Sequence, residues 1–443
     1  MQRATYACGT AEHALRRRGF LGTLAGGALS TSALATGAMA GGSVVGGLGW
    51  LTGGMAADAM KSKDMRVLVF NMHGGLSQLE SWDPKPGTRT GGPCRAIPTS
   101  VPGIHVSELL PYTAQQMHHL CLLRGVNTSE DDHGKGAYMM LTGRRQTPAA
   151  DYPQIGAVTS KMLHSESETL PGHIIITPGA AGGRGNESAY LGPRYSSVSL
   201  DGQKPPQFSA KPDGMTDDVE KRRHTIRQRI NAEFLSRGRT AITDAYTHSY
   251  DQALNLMQRR DVFDLSKESD GDRDRYGAND FGRQCLLARR LLTNGVSFVQ
   301  VTHSNYDTHN ENFNFHLEQL GEFDKPFATL ISDLSTLGLL DQTLVVVLSE
   351  FGRTPNINHF YGRDHWSKAW TVVMGGAKVA RGADFGKTND EGTEVVDGAV
   401  DHGALFHTYL QAVGVDSTQS LVVDGRQLPL ADPAAQPIWK VLV

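Results

Sequence analysis

The sequence has little cysteine. Four residues in 443, none in a Cys-x-x-Cys spacing, exclude a thiolate zinc site and a disulfide framework. Cys8 falls in the amino-terminal segment considered below. That leaves Cys94, Cys121 and Cys285, an odd number that reads as ordinary buried thiols, with one disulfide left open. Neither sign of charge is in excess. Lysine and arginine number 43 against 46 acids, a net charge of −3, and no long basic tract stands out, which excludes nucleic acid as a partner. With 39% hydrophobic and 20% charged residues the chain is globular in composition. Its length admits two domains or one large α/β domain.

Charge is also missing from one long stretch. After Arg16, Arg17 and Arg18 come Gly19, Phe20 and Leu21, and then no ionisable acid or base until Asp58. Clustered arginines followed by a weakly hydrophobic, glycine-rich run resemble a twin-arginine export signal. Ala38-Met39-Ala40 is a cleavage site of the expected kind, and Ala57-Asp58-Ala59 a weaker one. The alternative is an uncleaved anchor, since about 20 apolar residues span a bilayer; the many glycines, serines and threonines argue against it. Residues 1–59 are therefore expected to engage the twin-arginine machinery. The mature protein is expected in the periplasm or outside the cell, with no stable transmembrane span. By resemblance, substrates of this route fold before they cross, often with a metal already bound.

From residue 60 onward, apolar strands alternate with helical patterns. "MRVLVFNMHGG" opens with a short apolar run ending at Asn71, and Leu120 to Val126, "GHIIITPG", "VSFVQVTH", "QTLVVVLSE" and "WTVVMGG" read as further strands. "VSELLPYTAQQMHHL", "FGRQCLLARRLLTNG", "FDKPFATLISDLSTLGLL" and "ALFHTYLQAVGV" read as helices. Between about 195 and 276 the chain turns to charged, helix-period segments, expected to be a helical insertion. The alternation predicts an α/β domain with a mostly parallel sheet covered by helices on both faces. In such sheets, ligands bind outside the carboxyl ends of the strands.

Those ends carry a concentration of acids and imidazoles. The first strand leads to Asn71, His73, Gly74 and Gly75; the strand before "SNYDTHNENF" leads to His303, Asp307 and His309; "TLVVVLSEFGR" leads to Ser349, Glu350 and Arg353. "GRDHW" supplies Arg363, Asp364 and His365, and "VDHGALFH" supplies Asp401 and His402. Imidazole and carboxylate are the ligands of zinc, manganese and iron, and adjacent or i,i+2 placement on a loop aims two at one ion. Competing readings stand beside these. Asp401-His402 serves equally as a helix cap, His73 as a residue packed between glycines, and His105, His118, His119 and His173 as surface or structural residues. Arg144, Arg353 and Arg363 lie beside the clusters. Their forks suit a tetrahedral oxyanion, or equally neutralise a neighbouring carboxylate. In "EDDHGKGAYMMLTGRR", Asp132 is placed to cap a helix that His133 opens.

The motifs "HGGLSQLESWDPKP", "IPTSVPGIHVSELLP", "HGKGAYMMLTGR", "CLLARRLLTNGVSFVQVTHSNYDTHNENF", "LLDQTLVVVLSEFGRTPNIN" and "GRDHW" cover most of the mature chain. They resemble a family of twin-arginine-exported proteins with a domain of unknown function, placed beside the sulfatases in the alkaline phosphatase and sulfatase superfamily. The resemblance implies an alkaline phosphatase-like fold and a metal-dependent hydrolase of a phosphate or sulfate ester. It puts a metal ligand near Asn71 or His73, further ligands at Asp307, His309, Glu350, Asp364 and His365, and a nucleophile ten residues before Gly143, which is His133. Phe351 stands where the superfamily has a histidine ligand. No serine, threonine or cysteine occupies the nucleophile position, so the resemblance implies attack by metal-activated water, with His133 binding metal or moving a proton. Arg353 and Arg144 would steady the oxyanion. The implied cofactor is a divalent ion (zinc, manganese or calcium), and the implied partner an anionic small molecule or polysaccharide. The competing expectations are a non-catalytic exported binding protein that keeps a degenerate metal or anion site, and a metal-bound structural protein of the cell surface.

Overall fold

The computed structural model describes residues 65–443, apart from 149, 166–167, 181–185, 203–204, 207–208, 211–212, 238–239 and 424. The expected export segment 1–59 lies outside the described residues. Eight strands form the main sheet: β1 (Arg66–His73), β2 (Leu120–Val126), β3 (His173–Ile176), β4 (Val198–Leu200), β5 (Phe298–Ser304), β6 (Thr343–Leu348), β7 (Trp370–Gly375) and β8 (Ala383–Phe385). Their order is β8-β2-β7-β6-β1-β5-β3-β4. Every neighbouring pair is parallel except those made by β7, which runs antiparallel to both β2 and β6. Seven strands thus point one way.

Successive side chains of a strand face opposite sides of the sheet. In β1, Leu68, Phe70 and Met72 enter one apolar core, while Val67 and Val69 enter the other. β6 divides in the same way, with Val345 and Val347 against Leu344, Val346 and Leu348. Burial on both faces is why these strands are continuous apolar runs and do not alternate. The longer helices are α1 (His133–Thr142), α2 (Ile155–Leu163), α3 (Asp217–Ser236), α4 (Thr240–Gln258), α5 (Asp280–Thr293), α6 (Asn312–Thr336) and α7 (His402–Ala412), and all but α3 contribute residues to the two cores. α5 and α6 pack on the Phe70 side, and α1, α2 and α7 on the Val69 side. Each fully buried Leu, Ile or Phe in these layers contributes roughly 1.5–3 kcal/mol. The architecture is therefore a mostly parallel sheet with helices on both faces. Cys94, Cys121 and Cys285 are separate buried thiols, and burial pushes the Cys121 thiol up to about 12.

Several elements differ from the sequence reading: α2 and β8 are additions to it, and β4 adds a strand inside the range expected to be a helical insertion. α6 begins eleven residues before Phe323, because its first three turns bury Asn312, His316 and Gln319 beside Leu320; polar side chains in a buried stripe hide an amphipathic pattern. The helix expected before β2 shrinks to Pro111–Gln115. The Asp324 carboxylate accepts the amides of Tyr112 and Thr113, each at 2.8 Å, and so fixes where that turn starts. Within the range 195–276, α3 buries no residue and packs along α4. No helix among the described residues is long and apolar enough to cross a membrane.

Candidate metal centre at the carboxyl edge of the sheet

β1, β2, β5 and β6 all end on the same edge, and their loops converge there. Gly74 lets them meet. Its φ of +116° suits only glycine, and a Cβ at this position would lie 2.7 Å from the amide nitrogen of Asp307. Beyond β6, Gly352–Arg353 pairs antiparallel with His365–Trp366, which sets His365 opposite Arg353. α1 comes close as well: a Cβ on Gly136 would be 3.0 Å from the Glu350 carbonyl oxygen. His133, the first residue of α1, is thereby held over the strand ends. Asp132 caps that helix, its Oδ1 accepting the Lys135 amide at 2.9 Å.

Glu350 is buried and fully hydrogen-bonded. Its carboxylate accepts the amides of Gly74 at 3.0 Å and Gly75 at 3.2 Å, the Ser349 hydroxyl lies 2.9 Å away, and His133 Nδ1 is 3.1 Å from Oε1. His73 Nε2 stands 3.7 Å from the same oxygen. Burial pushes the carboxyl up, but the charge of His73 and the contact with His133 outweigh it and bring the group down to about 2. Glu350 is an anion at any physiological pH.

Asp307 is the hub of the site. Its Oδ1 accepts from Arg353 at 2.7 Å and faces His309 Nε2 at 3.1 Å and His365 Nε2 at 3.3 Å; Oδ2 faces His133 Nε2 at 3.4 Å. Burial raises its carboxyl, and the three imidazoles and Arg353 more than reverse this, holding it far below the usual carboxylate range. The imidazoles are oriented from behind. His133 Nδ1 meets Glu350, His309 Nδ1 meets Asp364 Oδ1 at 2.6 Å, and His365 Nδ1 meets the Asp131 carbonyl oxygen at 2.7 Å. Ionised carboxylates and carbonyls only accept, so each Nδ1 carries a proton, and each ring in its neutral form would present a bare Nε2. All three Nε2 atoms point at Asp307.

With all three rings neutral, that arrangement leaves no proton for hydrogen bonds among the Nε2 atoms. His309 and His365 bring their Nε2 atoms within 3.0 Å of each other, and the buried His133 Nε2 has no hydrogen-bond partner. Lone pairs facing at this distance repel unless a positive charge sits between them. The spacings fit a metal instead: ligand atoms about 2.0–2.1 Å from one tetrahedral ion lie roughly 3.3 Å apart. Ligand atoms of His133, Asp307 and His365 all fall within 4.8 Å of one another. Locking the far nitrogen of a histidine with a carboxylate or carbonyl is also how proteins prepare imidazoles as ligands. Charge agrees. Asp307, Glu350 and Asp364 face one guanidinium, that of Arg353, leaving two negative charges uncompensated while the imidazoles are neutral. Burial pushes the His133 imidazole down, but Asp307 and Glu350 outweigh this and raise it to about 9; the position demands a cation, which a proton or a metal supplies.

Over residues 64–442 the sequence matches the family described as "Protein of unknown function (DUF1501)". The chain belongs to this family. No curated protein matches the sequence. Among solved structures, the DUF1501 chain is similar to the lipoteichoic acid synthase LtaP from Listeria monocytogenes, with 8% identity, TM-score 0.36, and 85% of this chain and 80% of that one covered. It is similar to the alkaline phosphatase from the Antarctic bacterium TAB5, with 12% identity, TM-score 0.34, and 79% and 98% covered. It is also similar to the PsFucS1 sulfatase from Pseudoalteromonas sp., with 12% identity, TM-score 0.34, and 82% and 71% covered. Likeness at this level assigns no activity to the DUF1501 chain.

The structure brings His73, His133, Asp307, His309, Glu350, Arg353, Asp364 and His365 together, and places the other candidates elsewhere. Arg353 has no exposed surface; besides Asp307 it bonds the carbonyl oxygens of Gly74, Gly75 and Arg363. Arg363 is saturated by Glu80, at 2.8 Å, and by carbonyls. Arg144, at the far end of α1, donates to the Pro429 and Ala431 carbonyls and lies over the Tyr152 ring. Asp401 caps α7 through the Ala404 amide at 2.8 Å, with His402 as the first residue of that helix. Asn71 remains within β1, paired between Thr302 and Leu348. His303, in the strand that leads to Asp307, turns into the Phe70-side core against Phe281 and Tyr306. Phe351 is buried between the His133 and His365 rings, 4.8 and 4.5 Å from their centroids. Sequence reasoning missed the Asp131 carbonyl and the Glu80–Arg363 pair. A backbone oxygen carries no residue signature, and Glu80 shows only as one acid inside "LSQLESW".

Proposed function

We propose that this chain is an exported, metal-dependent hydrolase of a phosphate or sulfate ester, acting on an anionic small molecule or polysaccharide in the periplasm or outside the cell. In this reading residues 1–59 direct twin-arginine export, and residues 60–443, with a helical insertion at about 195–276, carry the alkaline phosphatase-like working domain. The observation that carries the proposal is the convergence of three imidazole Nε2 atoms on the Asp307 carboxylate. His133, His365 and Asp307 would hold the ion, with His309 beside them against Asp307 and His365. A divalent cation bound there acts as a Lewis acid and lowers the pKa of water. The mixed nitrogen and oxygen donors favour zinc or manganese over calcium, which prefers an all-oxygen shell.

The remaining residues have roles that follow from position. Glu350 keeps His133 in the tautomer with a bare Nε2, and Asp364 does so for His309. His73, half-exposed and 3.7 Å from Glu350, is the group placed to take or return a proton at the open side. Arg353 positions Asp307; with its donors engaged, it leaves oxyanion binding to the cation. Metal analysis of purified full chain, alongside Glu350→Gln, tests the proposal. We expect a stoichiometric transition metal in the native protein, cleavage of a chromogenic phosphate or sulfate ester that a chelator abolishes, and loss of turnover in the variant. Native protein without stoichiometric metal overturns it. Bound metal with no ester cleaved favours the binding-protein alternative.

A further inference from the structure

The connection from Thr354 to Gly362 runs along the rim of the cluster and displays its two aromatics to solvent. Phe360 is 60% exposed and Tyr361 67%, yet the backbone beneath them is fixed. Asn358 organises the loop: its Oδ1 accepts the amides of Phe360 and Gly362, each at 2.9 Å, and its own amide bonds the Gly362 carbonyl at 2.9 Å. The carbonyls of Phe360 and Tyr361 accept the amides of Glu311 and Asn312, at 3.1 and 3.0 Å, where α6 begins. The tip therefore has bound peptide groups and exposed rings, with the His359 ring 3.9 Å from that of Phe360. Tyr361 pays for this position with a left-handed backbone, φ +57°, which a non-glycine residue keeps only where its surroundings enforce it, and such outliers gather at functional sites. Among the described residues, five other non-glycines have positive φ: Ser129, Asn305 and Glu311, in segments beside the cluster, and Ala189 and Ala377 elsewhere.

The loop is also joined to the candidate ligands themselves. Asn358 Nδ2 donates to the His309 carbonyl at 2.9 Å and lies 3.4 Å from Asp364 Oδ1. A Cβ on Gly362 would be 1.9 Å from the His309 carbonyl oxygen, so the loop can sit only where it does. Its chemistry selects an occupant. The segment 354–362 contains no lysine or arginine, and the arginines at either end, Arg353 and Arg363, are fully buried; this is not the composition of a nucleic-acid or anionic-membrane surface. The exposed polar side chains on the loop and at the adjoining start of α6 are amides, an imidazole and acids, those of Asn310, Asn314, Asn356, His359, Glu311 and Asp364, while the one guanidinium that reaches the loop, that of Arg89 on Asn356, is paired with Glu391. Rings beside amides and carboxylates offer an apolar face and many hydrogen bonds, the two things a pyranose presents in return.

We propose that Phe360 and Tyr361 form a stacking platform for a sugar ring of the substrate, so that the ester cleaved at the metal centre is carried on a glycan. This rests on the hydrolase reading and names its substrate class. The test is binding of the full chain to an array of neutral, sulfated and phosphorylated glycans, repeated with Phe360→Ala/Tyr361→Ala and with Phe360→Tyr/Tyr361→Phe, with metal content measured on all three proteins. We expect the native chain to retain at least one glycan class. The double alanine variant should bind it at least roughly tenfold more weakly, since each lost ring removes a stacking contact, with unchanged metal content, and the ring-preserving variant should bind as the native chain does. A native chain that retains no glycan, or an alanine variant that binds equally well, overturns the platform. Because metal content is read separately, a missing metal would sink the hydrolase reading and leave glycan capture to stand or fall alone.

Discussion

Replacing Asp307 with asparagine keeps the side chain's shape and removes one charge, which makes it the sharpest probe of the cluster. Two effects follow from the geometry. The first concerns Arg353, which is fully buried and has Asp307, at 2.7 Å, as its carboxylate partner. Removing one partner of a buried ion pair costs roughly 3–5 kcal/mol. Carbonyl oxygens of Gly74, Gly75 and Arg363 remain for the guanidinium, as does the asparagine amide oxygen, so the low end, about 3 kcal/mol, applies. The second effect concerns the cation. Asp307 is the one carboxylate in contact with His133, His309 and His365 together, so its loss should reduce bound metal from one ion per chain to a small fraction. Urea unfolding measures the first effect, and metal per chain after dialysis the second. A chelator should destabilise the native protein by about 2.7 kcal/mol if the ion had been present at a hundred times its Kd, and should leave Asp307→Asn unaffected. A variant with native metal content, or one that a chelator destabilises as much as the native protein, refutes the assignment of Asp307 as the hub.

Two further substitutions separate structural from metal-binding acids. Glu80→Gln strands the fully buried Arg363 and should cost roughly 3–5 kcal/mol. Burial pushes Glu80 up, but Arg363 and His316 outweigh it and lower it from its ordinary 4.5. A depressed carboxyl contributes stability above its unfolded value and loses it as pH falls below, so the gap between native and variant in urea unfolding should narrow below pH 4.5; a gap that stays constant into the acid range counts against the pair. Asp132→Ala should cost about 1 kcal/mol through loss of the α1 cap and leave metal content unchanged. A fall in metal there would make Asp132 a ligand after all.

The parts of the fold legible in the sequence were those in which burial is uniform. β2 and β6 are apolar on both faces, so a run of such residues between turns marks them without regard to their neighbours. α6 was only half legible, because Asn312, His316 and Gln319 occupy its buried stripe, Asn312 bonded to Glu80 and His316 to the Ser77 amide. The site divides in the same way. Strand ends predict the edge at which acids and imidazoles meet, because a parallel sheet delivers its carboxyl ends there, but not which of them do: His303, Asp401 and His402 stand apart. Nor do strand ends predict which way a ring turns. That depends on the Asp131 carbonyl behind His365 and on the Gly74 and Gly75 amides beneath Glu350, and main-chain groups look alike at every position. Arginines were hardest to read, since a guanidinium beside an acid looks the same in sequence whether it awaits a ligand, as an open site requires, or is already saturated, as Arg353 and Arg363 are.

β7 is the one strand that runs against the rest, and it decides what its incoming connection is for. Trp370, its first residue, pairs with Val126, the last residue of β2, so the chain enters β7 at the same edge from which it left β6. A parallel strand would have required a return to the opposite edge, usually through a helix. Here no return is needed, and residues 349–369 are free to remain at the mouth of the cluster, where they supply Glu350, Arg353, Asp364, His365 and the aromatic tip. One reversed strand thus converts a connector into the adjustable border of the site. Lengthening, trimming or rewriting that border changes what the centre can hold while the hydrogen-bonded ladder of β2, β7 and β6 keeps its register, which makes this connection the natural place for relatives to diverge in substrate and for redesign to begin.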